Sequence, residues 1–427
     1  MLALPISLLL LFLLAIGAPV GLSLAAAGAT GLFSVGGADM LLGVLATAPF
    51  SAASSYELIT VPMFLLMAEF VIISGVADNL FKTASTWVGR VPGGLGMATA
   101  IAGAGFGAIS GSSTASAATL SATTIPAMLK QGYEPKLACG VVAISGTLAM
   151  LIPPSVALVL YGIIADEPVG TLLIAGIVPG LIVTFVIMAT VYFLVWRDPS
   201  RAPAGRAYSF TDKIRSTAVV GPMLFLFMAV TGVIYTGVAT PTEAAGLGAF
   251  GAFLLALRTG KVTLPVAIQA LQRAARTTCM ILLIILGAHI FGYFFTLTQT
   301  TQKMVAWVGA MDVQPWVIMS VILLIYLVLG TFLDQIAILI LTVPLMLPLV
   351  TSLGYDPVWF GVIVIVTAEV GLVTPPVGLN VFVVARYTKR PLGEVFWGVM
   401  PHVVAHLFAI ALFLAFPEII LWLPSTM

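Results

Sequence analysis

Long runs of apolar residues, separated by short polar segments, dominate the pattern of hydrophobic and polar positions along this 427-residue chain. A helix of about 20 apolar residues crosses the roughly 30 Å hydrocarbon core of a bilayer. The pattern therefore predicts an all-α polytopic membrane protein that lies in a lipid bilayer. The clearest predicted spans are 4–32, 169–196, 217–236, 241–257, 278–298 and 396–424. The apolar run at 38–52 stays open between a further span and an interfacial helix.

Two of the apolar segments, 137–164 and 358–385, carry a Pro-Pro pair in mid-span. Residues 132–162 and 354–384 align without a gap, since both begin Gly-Tyr-acid-Pro and reach the Pro-Pro pair 21 residues after that glycine. Proline removes a backbone donor and clashes with the preceding turn, so each segment is predicted to be a broken helix. A duplicated apolar unit with interrupted helices indicates the binding region of a transporter.

A predicted hairpin precedes each broken helix. Residues 92–129 form two apolar arms around a tip rich in Ser and Gly, and residues 314–350 form two arms around the tip Gly-Thr-Phe-Leu-Asp. Such re-entrant helical hairpins are tolerated in a membrane where protein or a cavity covers the open backbone of the tip. A match between Thr-Ile-Pro in the first hairpin and Thr-Val-Pro in the second, with four extra residues after the latter, places Ser112 and Ser113 opposite Gly330 and Thr331.

Composition and charge agree with a membrane protein and orient it. Hydrophobic residues make up 61% of the chain and charged residues 8%, and the net charge of +1 gives no reason to expect a nucleic acid partner. Nine of the 17 lysines and arginines lie in two polar stretches, 197–215 and 258–276. Cytoplasmic loops are enriched in these residues, so both stretches are predicted to be cytoplasmic. The first repeat is then entered from the cytoplasm and the second from outside, which makes the repeats inverted.

The repeats divide the chain into five predicted regions. The regions are helices 1–75, repeat 1 at 76–168, helices 169–298, repeat 2 at 299–390, and a C-terminal helix at 391–427.

The helix breaks and tips supply the candidate chemistry. Carbonyl oxygens near 146–153 and 368–375 lose their helical partners, and such oxygens are hard ligands suited to Na⁺. The N-termini of half-helices carry partial positive charge that attracts an anion. Polar side chains near these places are Ser110, Ser112, Ser113, Thr114, Ser155, Thr331, Asp334, Thr374 and Asn380.

Acidic residues inside apolar segments are costly and are candidates for function. Asp334 is the strongest candidate because it lies at a predicted tip. Glu369 stays open between a cavity and a packing partner. Glu69 and Glu243 have no counterpart in the other repeat, so hydrogen bonds in helix packing are the preferred interpretation.

Two spacings favour packing over a site. Gly103, Gly107 and Gly111 recur every four residues, which is typical of helices in close contact. His402 and His406 are spaced to share one helix face, but no third metal ligand lies near them in sequence. An interfacial role is preferred for both histidines.

Together these residues carry a resemblance to a known family over essentially the full length. The segments GAISGSSTASAAT, GYEP…LIPPS, GTFLD and GYDP…TPPVGLN resemble those of the large membrane subunit of tripartite ATP-independent periplasmic (TRAP) transporters. The resemblance implies Na⁺-driven uptake of an organic acid anion in the bacterial inner membrane. It implies an elevator mechanism, in which the two repeats form a moving transport part and the helices of 1–75 and 169–298 form the scaffold. It also implies two protein partners, a periplasmic substrate-binding protein and a small four-helix membrane subunit.

The same resemblance assigns roles to residues that match its motifs. The first Na⁺ site would contain Ser112, Ser113, Gly146 and Pro153. The second Na⁺ site would contain Gly330, Thr331, Thr374 and Gly378. The substrate carboxylate would approach Ser110, Ser155 and Asn380, with Asp334 lining or tuning the pocket.

Other functions stay open at this point. A stand-alone ion-coupled anion symporter of related architecture would need no binding protein, and an intramembrane hydrolase is a remote enzyme alternative. The hydrolase is disfavoured because no Gly-x-Ser-x-Gly sequence surrounds Ser110 or Ser112. No enzyme activity and no covalently bound cofactor are expected. C4-dicarboxylates, keto acids and sugar acids all suit a pocket of hydroxyls, an amide and helix ends.

Overall fold

A computed structural model describes residues 2–427, and every regular element in that range is a helix. Eight of the helices described there are long and apolar enough to cross a membrane. The prediction of an all-α polytopic membrane protein is therefore confirmed.

The N-terminal region contains four helices and corrects one predicted span. The helices are α1 Ala3–Ala15, α2 Val20–Ala53, α3 Thr60–Ser74 and α4 Val76–Val88. The predicted continuous span 4–32 is interrupted at Gly17, which has a φ of +83°, and Pro19 precedes the first residue of α2. Apolar character alone did not mark this turn, because the residues around it are as hydrophobic as the helices.

The region left open at 38–52 is the second half of α2. The backbone of α2 departs from helical geometry at Gly36 and Gly37, so the helix is kinked there and continues to Ala53. Glycine permits the positive φ of 69° at Gly37 without a clash of a side chain.

The first repeat forms a hairpin and a broken helix. Its helices are α5 Gly94–Ser110, α6 Ser113–Thr123, α7 Ile125–Lys130, α8 Pro135–Ser145 and α9 Val156–Ala165. Between α8 and α9 the chain makes a short 3-10 helix, Gly146–Met150, and then passes through Pro153 and Pro154, which are joined by a cis peptide bond. The interruption lies where the Pro-Pro pair predicted it.

Five helices connect the repeats. They are α10 Val169–Ala175, α11 Ile177–Arg197, α12 Phe210–Tyr235, α13 Pro241–Arg258 and α14 Leu264–Leu297. The predicted loops 197–215 and 258–276 are shorter than expected, because α12 begins with a capping box between Ser209 and Asp212 and α14 begins at Leu264. The basic stretches begin where α11 and α13 end, at Arg197 and Arg258, but their basic residues do not fix where the next helix begins.

The second repeat and the C-terminus complete the fold. Their helices are α15 Thr300–Gly309, α16 Pro315–Phe332, α17 Gln335–Ser352, α18 Pro357–Gly371, α19 Leu379–Thr388, α20 Leu392–Ala415 and α21 Glu418–Leu421. The chain is again interrupted at a cis Pro-Pro bond, here between α18 and α19.

The structure corrects the predicted pairing of the two tips. Ser112 is the N-cap of α6 and Asp334 is the N-cap of α17, and each side chain accepts a backbone N–H of the helix it begins. Their separation of 222 residues equals that between Gly132 and Gly354, so the ungapped alignment of the broken helices extends into the hairpins. Ser112 and Ser113 therefore correspond to Asp334 and Gln335. The Thr-x-Pro match predicted the wrong correspondence because the proline of this motif lies at a different distance from the tip in each hairpin.

Close contact between glycine-bearing helices holds the region outside the repeats together. Helix α2 packs along α14. A Cβ atom placed on Gly28 would lie 2.7 Å from the backbone nitrogen of Phe291, and one on Gly21 would lie 2.7 Å from the Leu283 carbonyl oxygen. An ion pair at 3.2 Å between Glu69 of α3 and Arg273 adds a second contact to α14. Small residues let the backbones approach, which is how membrane helices gain packing energy.

Replacing Gly28 by alanine is expected to lower the thermal stability of the purified protein in detergent. The added methyl group meets the α14 backbone, and overpacking of this kind costs about 1–3 kcal/mol. Gly43→Ala is the matched control in the same helix, since nothing lies within 4 Å of its Cβ position. The packing account fails if the two variants melt at the same temperature.

Candidate functional site

The tip of the first hairpin lies against the first helix break. A Cβ atom on Gly107 would lie 2.8 Å from the Ala149 backbone, and one on Gly146 would lie 3.0 Å from the Ser113 carbonyl oxygen. Gly103 likewise approaches Ser145, so Gly103 and Gly107 of α5 serve close packing as predicted, whereas Gly111 ends that helix with a φ of +56°. Within the predicted first ion site, the structure thus brings Ser113 and Gly146 together.

The other two members of that predicted set have different positions. The Ser112 hydroxyl caps α6 and lies 3.3 Å from the Thr114 hydroxyl. Pro153 is buried in the turn that leads to Ser155. Among residues 2–427, Pro153 takes no part in the backbone hydrogen bonds of the turns, loops and helix caps.

The second tip and the second break meet through their backbones. The Gly378 N–H donates to the Thr331 carbonyl oxygen at 3.3 Å, and a Cβ on Gly378 would lie 3.2 Å from the Thr374 carbonyl oxygen. A Cβ on Gly330 would lie 2.9 Å from the Gly371 Cα atom, so a larger residue would separate the two segments. The four residues predicted for the second ion site are therefore gathered at one place.

We call the contact between a hairpin tip and its helix break a junction. Oxygen atoms at the second junction keep free lone pairs. The Thr331 hydroxyl donates to the Val328 carbonyl oxygen at 2.8 Å, and the Thr374 hydroxyl donates to that of Val370 at 2.7 Å. A hydroxyl that donates its hydrogen still has lone pairs with which it can accept a hydrogen bond or bind a cation.

The two breaks differ in their exposure at the surface of the chain. Pro153 and Pro154 are buried, whereas Pro375 and Pro376 are exposed. Both junctions therefore pair a hairpin tip with a Pro-Pro break, but the break is buried in the first junction and exposed in the second.

A hydrogen bond between the repeats links the first tip to the second broken helix. The Ser113 hydroxyl lies 2.7 Å from both carboxylate oxygens of Glu369 and donates to them. Ser113 is 2% exposed and Glu369 is 3% exposed. Sequence reasoning left Glu369 undecided, and the structure gives it a buried packing partner 256 residues away.

The predicted substrate residues occupy separate local networks. Ser110 shares a 2.6 Å hydrogen bond with Ser116, and Ser155 caps α9 while donating to the carbonyl oxygen of Met150. Asp334 is exposed at the start of α17. These contacts do not join the predicted substrate residues to one another.

Asn380 lies across the boundary between the repeats. Its side-chain amide donates to the Ala143 carbonyl oxygen of α8 at 3.4 Å, and its backbone N–H donates to the Leu372 carbonyl oxygen. Its own side-chain oxygen is buried and has no partner among residues 2–427. That oxygen is free to accept a hydrogen bond from a ligand.

Sequence reasoning missed Gln335. This first residue of α17 is fully buried, and neither atom of its side-chain amide has a partner within the described range. Buried polar groups normally have partners, so an unpaired amide beside a tip is a candidate ligand. The ungapped alignment would have found it, since it places Gln335 opposite Ser113.

The histidines of α20 were assigned wrongly to the interface. His402 and His406 are both buried, and the His406 Nδ1 atom lies 2.7 Å from the His402 carbonyl oxygen. Within residues 2–427, no group of three metal-ligating residues includes them.

Comparison with known proteins places this geometry in a family. The family model for the DctM component of the tripartite ATP-independent periplasmic transporter matches residues 7–419. The C4-dicarboxylate TRAP transporter large permease protein DctM of Pseudomonas aeruginosa is 34% identical over 89% of each chain. The sialic acid TRAP transporter large permease protein SiaM of Vibrio cholerae is 32% identical over 87% of each chain.

A solved structure shares the fold. The YdaH transporter of Alcanivorax borkumensis aligns with a TM-score of 0.65 at 15% identity, covering 90% of this chain and 89% of that one. The curated relatives are transporter permeases and not enzymes, and the membrane-length helices agree with a multi-pass protein of the bacterial inner membrane. The chain belongs to the DctM family of large permease subunits of tripartite ATP-independent periplasmic transporters.

Proposed function

We propose that this chain carries an organic acid anion across the inner membrane, coupled to Na⁺ and supplied by a periplasmic binding protein. The observation that carries the proposal is the pairing of each hairpin tip with its own helix break, joined across the repeats by Ser113 and Glu369. Interrupted helices that meet in this way expose carbonyl oxygens and helix N-termini to a bound ion and anion.

The second junction is the stronger of the two proposed Na⁺ sites. Thr331 and Thr374 offer hydroxyl lone pairs, and the backbone carbonyls around Gly330 and Gly378 lie beside them. The first junction offers Ser112, Ser113 and the backbone at Gly146. Pro153 would contribute through the turn that it forms, not through a side-chain ligand.

The anion would bind between the two junctions. The half-helices α9 and α19 begin there, capped by Ser155 and Gly378, and their N-terminal N–H groups favour negative charge. The free side-chain oxygen of Asn380 suits a hydroxyl group of the substrate, and Ser110 would donate to a carboxylate. Asp334, at the exposed tip, would tune the pocket by repelling a second negative charge.

Relatives that carry C4-dicarboxylates and sialic acid support an organic acid as the substrate class. A C4-dicarboxylate, a keto acid and a sugar acid all present a carboxylate together with further oxygen atoms. In an elevator movement, 76–168 and 299–390 would shift as one body against the scaffold formed by 1–75 and 169–298. A small four-helix membrane subunit would support that scaffold.

Uptake into proteoliposomes tests the proposal. Vesicles holding this chain and its small membrane subunit would receive labelled succinate, pyruvate or N-acetylneuraminate with the matching periplasmic binding protein and an inward Na⁺ gradient. Accumulation that needs both the gradient and the binding protein supports the proposal. Equal accumulation without the binding protein would indicate a stand-alone symporter, and cleavage of the label without accumulation would indicate a hydrolase.

Replacing Thr331 by alanine is expected to raise the Na⁺ concentration that gives half-maximal uptake by about tenfold, since one lost ligand costs on the order of 1.4 kcal/mol. Thr331→Ser should restore the original value because it returns the hydroxyl. Thr296→Ala is the control, since that hydroxyl also bonds a carbonyl one turn back but lies on α14. An unchanged Na⁺ dependence in Thr331→Ala would contradict the ion-site assignment.

Replacing Ser113 by alanine is expected to lower both thermal stability and uptake, because the buried Glu369 carboxyl group loses its hydrogen-bond partner at a cost of about 1–3 kcal/mol. Ser121→Ala provides the matched control, since Ser121 is also buried on α6 but bonds only the carbonyl oxygen of Ala117. Equal stability of the two variants, measured by thermal melting in detergent, would show that the link between the repeats contributes little.

A further inference from the structure

A cavity lined by an unpaired arginine lies beside the proposed anion site. The cavity has a volume of about 640 Å³ and separates part of α6 from part of α19. Its lining residues are Thr114, Ala115, Ala118, Val383, Arg386 and Tyr387. Arg386 and Tyr387 are exposed, and no carboxylate among residues 2–427 pairs with Arg386.

The position of the cavity links it to the site already described. Thr114 lies at the tip end, where its hydroxyl is 3.3 Å from that of Ser112. Val383 is one helical turn beyond Asn380 on α19. The cavity therefore begins where the proposed anion site ends.

The opposite end of the cavity faces the cytoplasmic side. Helix α6 leads through α7 to Lys130, and α19 ends next to Lys389 and Arg390, so both run toward clusters of basic residues. Positive clusters mark the cytoplasmic ends of membrane helices. Arg390 is held in an ion pair with Glu394 at 3.3 Å, which leaves Arg386 as the cation directed to the cavity lining.

The chemistry of the lining suits an oxyanion. An arginine offers a planar set of N–H donors that matches a carboxylate or sulfonate group, and a positively charged wall raises the local concentration of anions. The hydroxyl groups of Tyr387 and Thr114 add two further donors. The remaining lining is apolar and would accommodate a short carbon chain.

We infer that this cavity is a cytoplasm-facing anion subsite in which Arg386 binds the carboxylate or sulfonate group of the substrate after it leaves the central site. The inference rests on the proposed function for its role in transport. Binding of an oxyanion at Arg386 is a property of the cavity itself and can be measured without transport.

Thiol labelling of the full chain in detergent tests the subsite. A background with Cys139→Ala and Cys279→Ala receives Ala115→Cys, which places one thiol in the cavity lining. The probes are 2-sulfonatoethyl methanethiosulfonate, an anion, and 2-(trimethylammonium)ethyl methanethiosulfonate, a cation. A unit positive charge in the lining of the same cavity should favour the anionic reagent over the cationic one about three- to tenfold, allowing for screening by salt.

Arg386→Gln is expected to abolish most of this preference, and Arg386→Lys is expected to retain it. Lys389→Gln removes the same charge three residues further on, outside the cavity lining, and should change the ratio of rates much less. Millimolar succinate should slow the labelling of the parent protein but not of Arg386→Gln, and glycerol should slow neither.

The inference is overturned if Arg386→Gln leaves the ratio unchanged, if Lys389→Gln lowers it equally, or if succinate gives no protection. If Arg386→Gln does not fold, Arg386→Lys serves as the test variant. Succinate must then slow the thiol labelling of both the parent protein and Arg386→Lys. Uptake in proteoliposomes is scored separately. Loss of Na⁺-driven uptake with intact charge selectivity would therefore reject the proposed function and not the subsite.

Discussion

Unpaired backbone groups inside the membrane are the constraint on which this structure depends. Each hairpin tip and each Pro-Pro break leaves N–H and C=O groups without helical partners, and lipid offers them nothing in exchange. In this fold each hairpin tip packs against a helix break. Glycines at 107, 146, 330 and 371 permit the close approach. At the second break, the Gly378 N–H donates a hydrogen bond to the Thr331 carbonyl oxygen. The same carbonyls and hydroxyls that are covered in this way form the proposed ion and anion sites.

The hydrogen bond between Ser113 and Glu369 makes the two tip–break pairs interdependent. It joins the first tip to the second broken helix in a fully buried position, where loss of either partner leaves a polar group unpaired. Asn380 adds a second contact between the repeats through the carbonyl oxygen of Ala143. Ions and substrate bound at these junctions would therefore act on one connected body, which suits a transport part that moves as a unit.

Local signals in the sequence predicted much of this arrangement. Pro-Pro pairs and the repeated Gly-Tyr-acid-Pro marked both helix breaks, because two adjacent prolines remove two successive backbone donors. Single prolines within α12, α17 and α20 leave those helices continuous. Contacts between distant residues, such as Ser113 with Glu369, have no local signal, and the unpaired amide of Gln335 becomes visible only when burial is known. The predicted correspondence between the two tips was wrong because it relied on a short Thr-x-Pro match and not on the ungapped alignment. The predicted ends of the loops 197–215 and 258–276 were wrong because the following helices, α12 and α14, begin with segments that contain polar and charged residues, before their apolar parts.

Distances between spin labels test the central claim, that both tips and both breaks move as one body, most directly. One pair joins Thr259 in the α13–α14 turn to Lys389 after α19, and a second pair joins Lys130, the last residue of α7, to Lys389. All three positions are exposed. When Na⁺, substrate and binding protein are added to the reconstituted complex, the Thr259–Lys389 distance distribution should shift while the Lys130–Lys389 distribution stays constant. A shift within the Lys130–Lys389 pair, or none in the Thr259–Lys389 pair, would contradict the account.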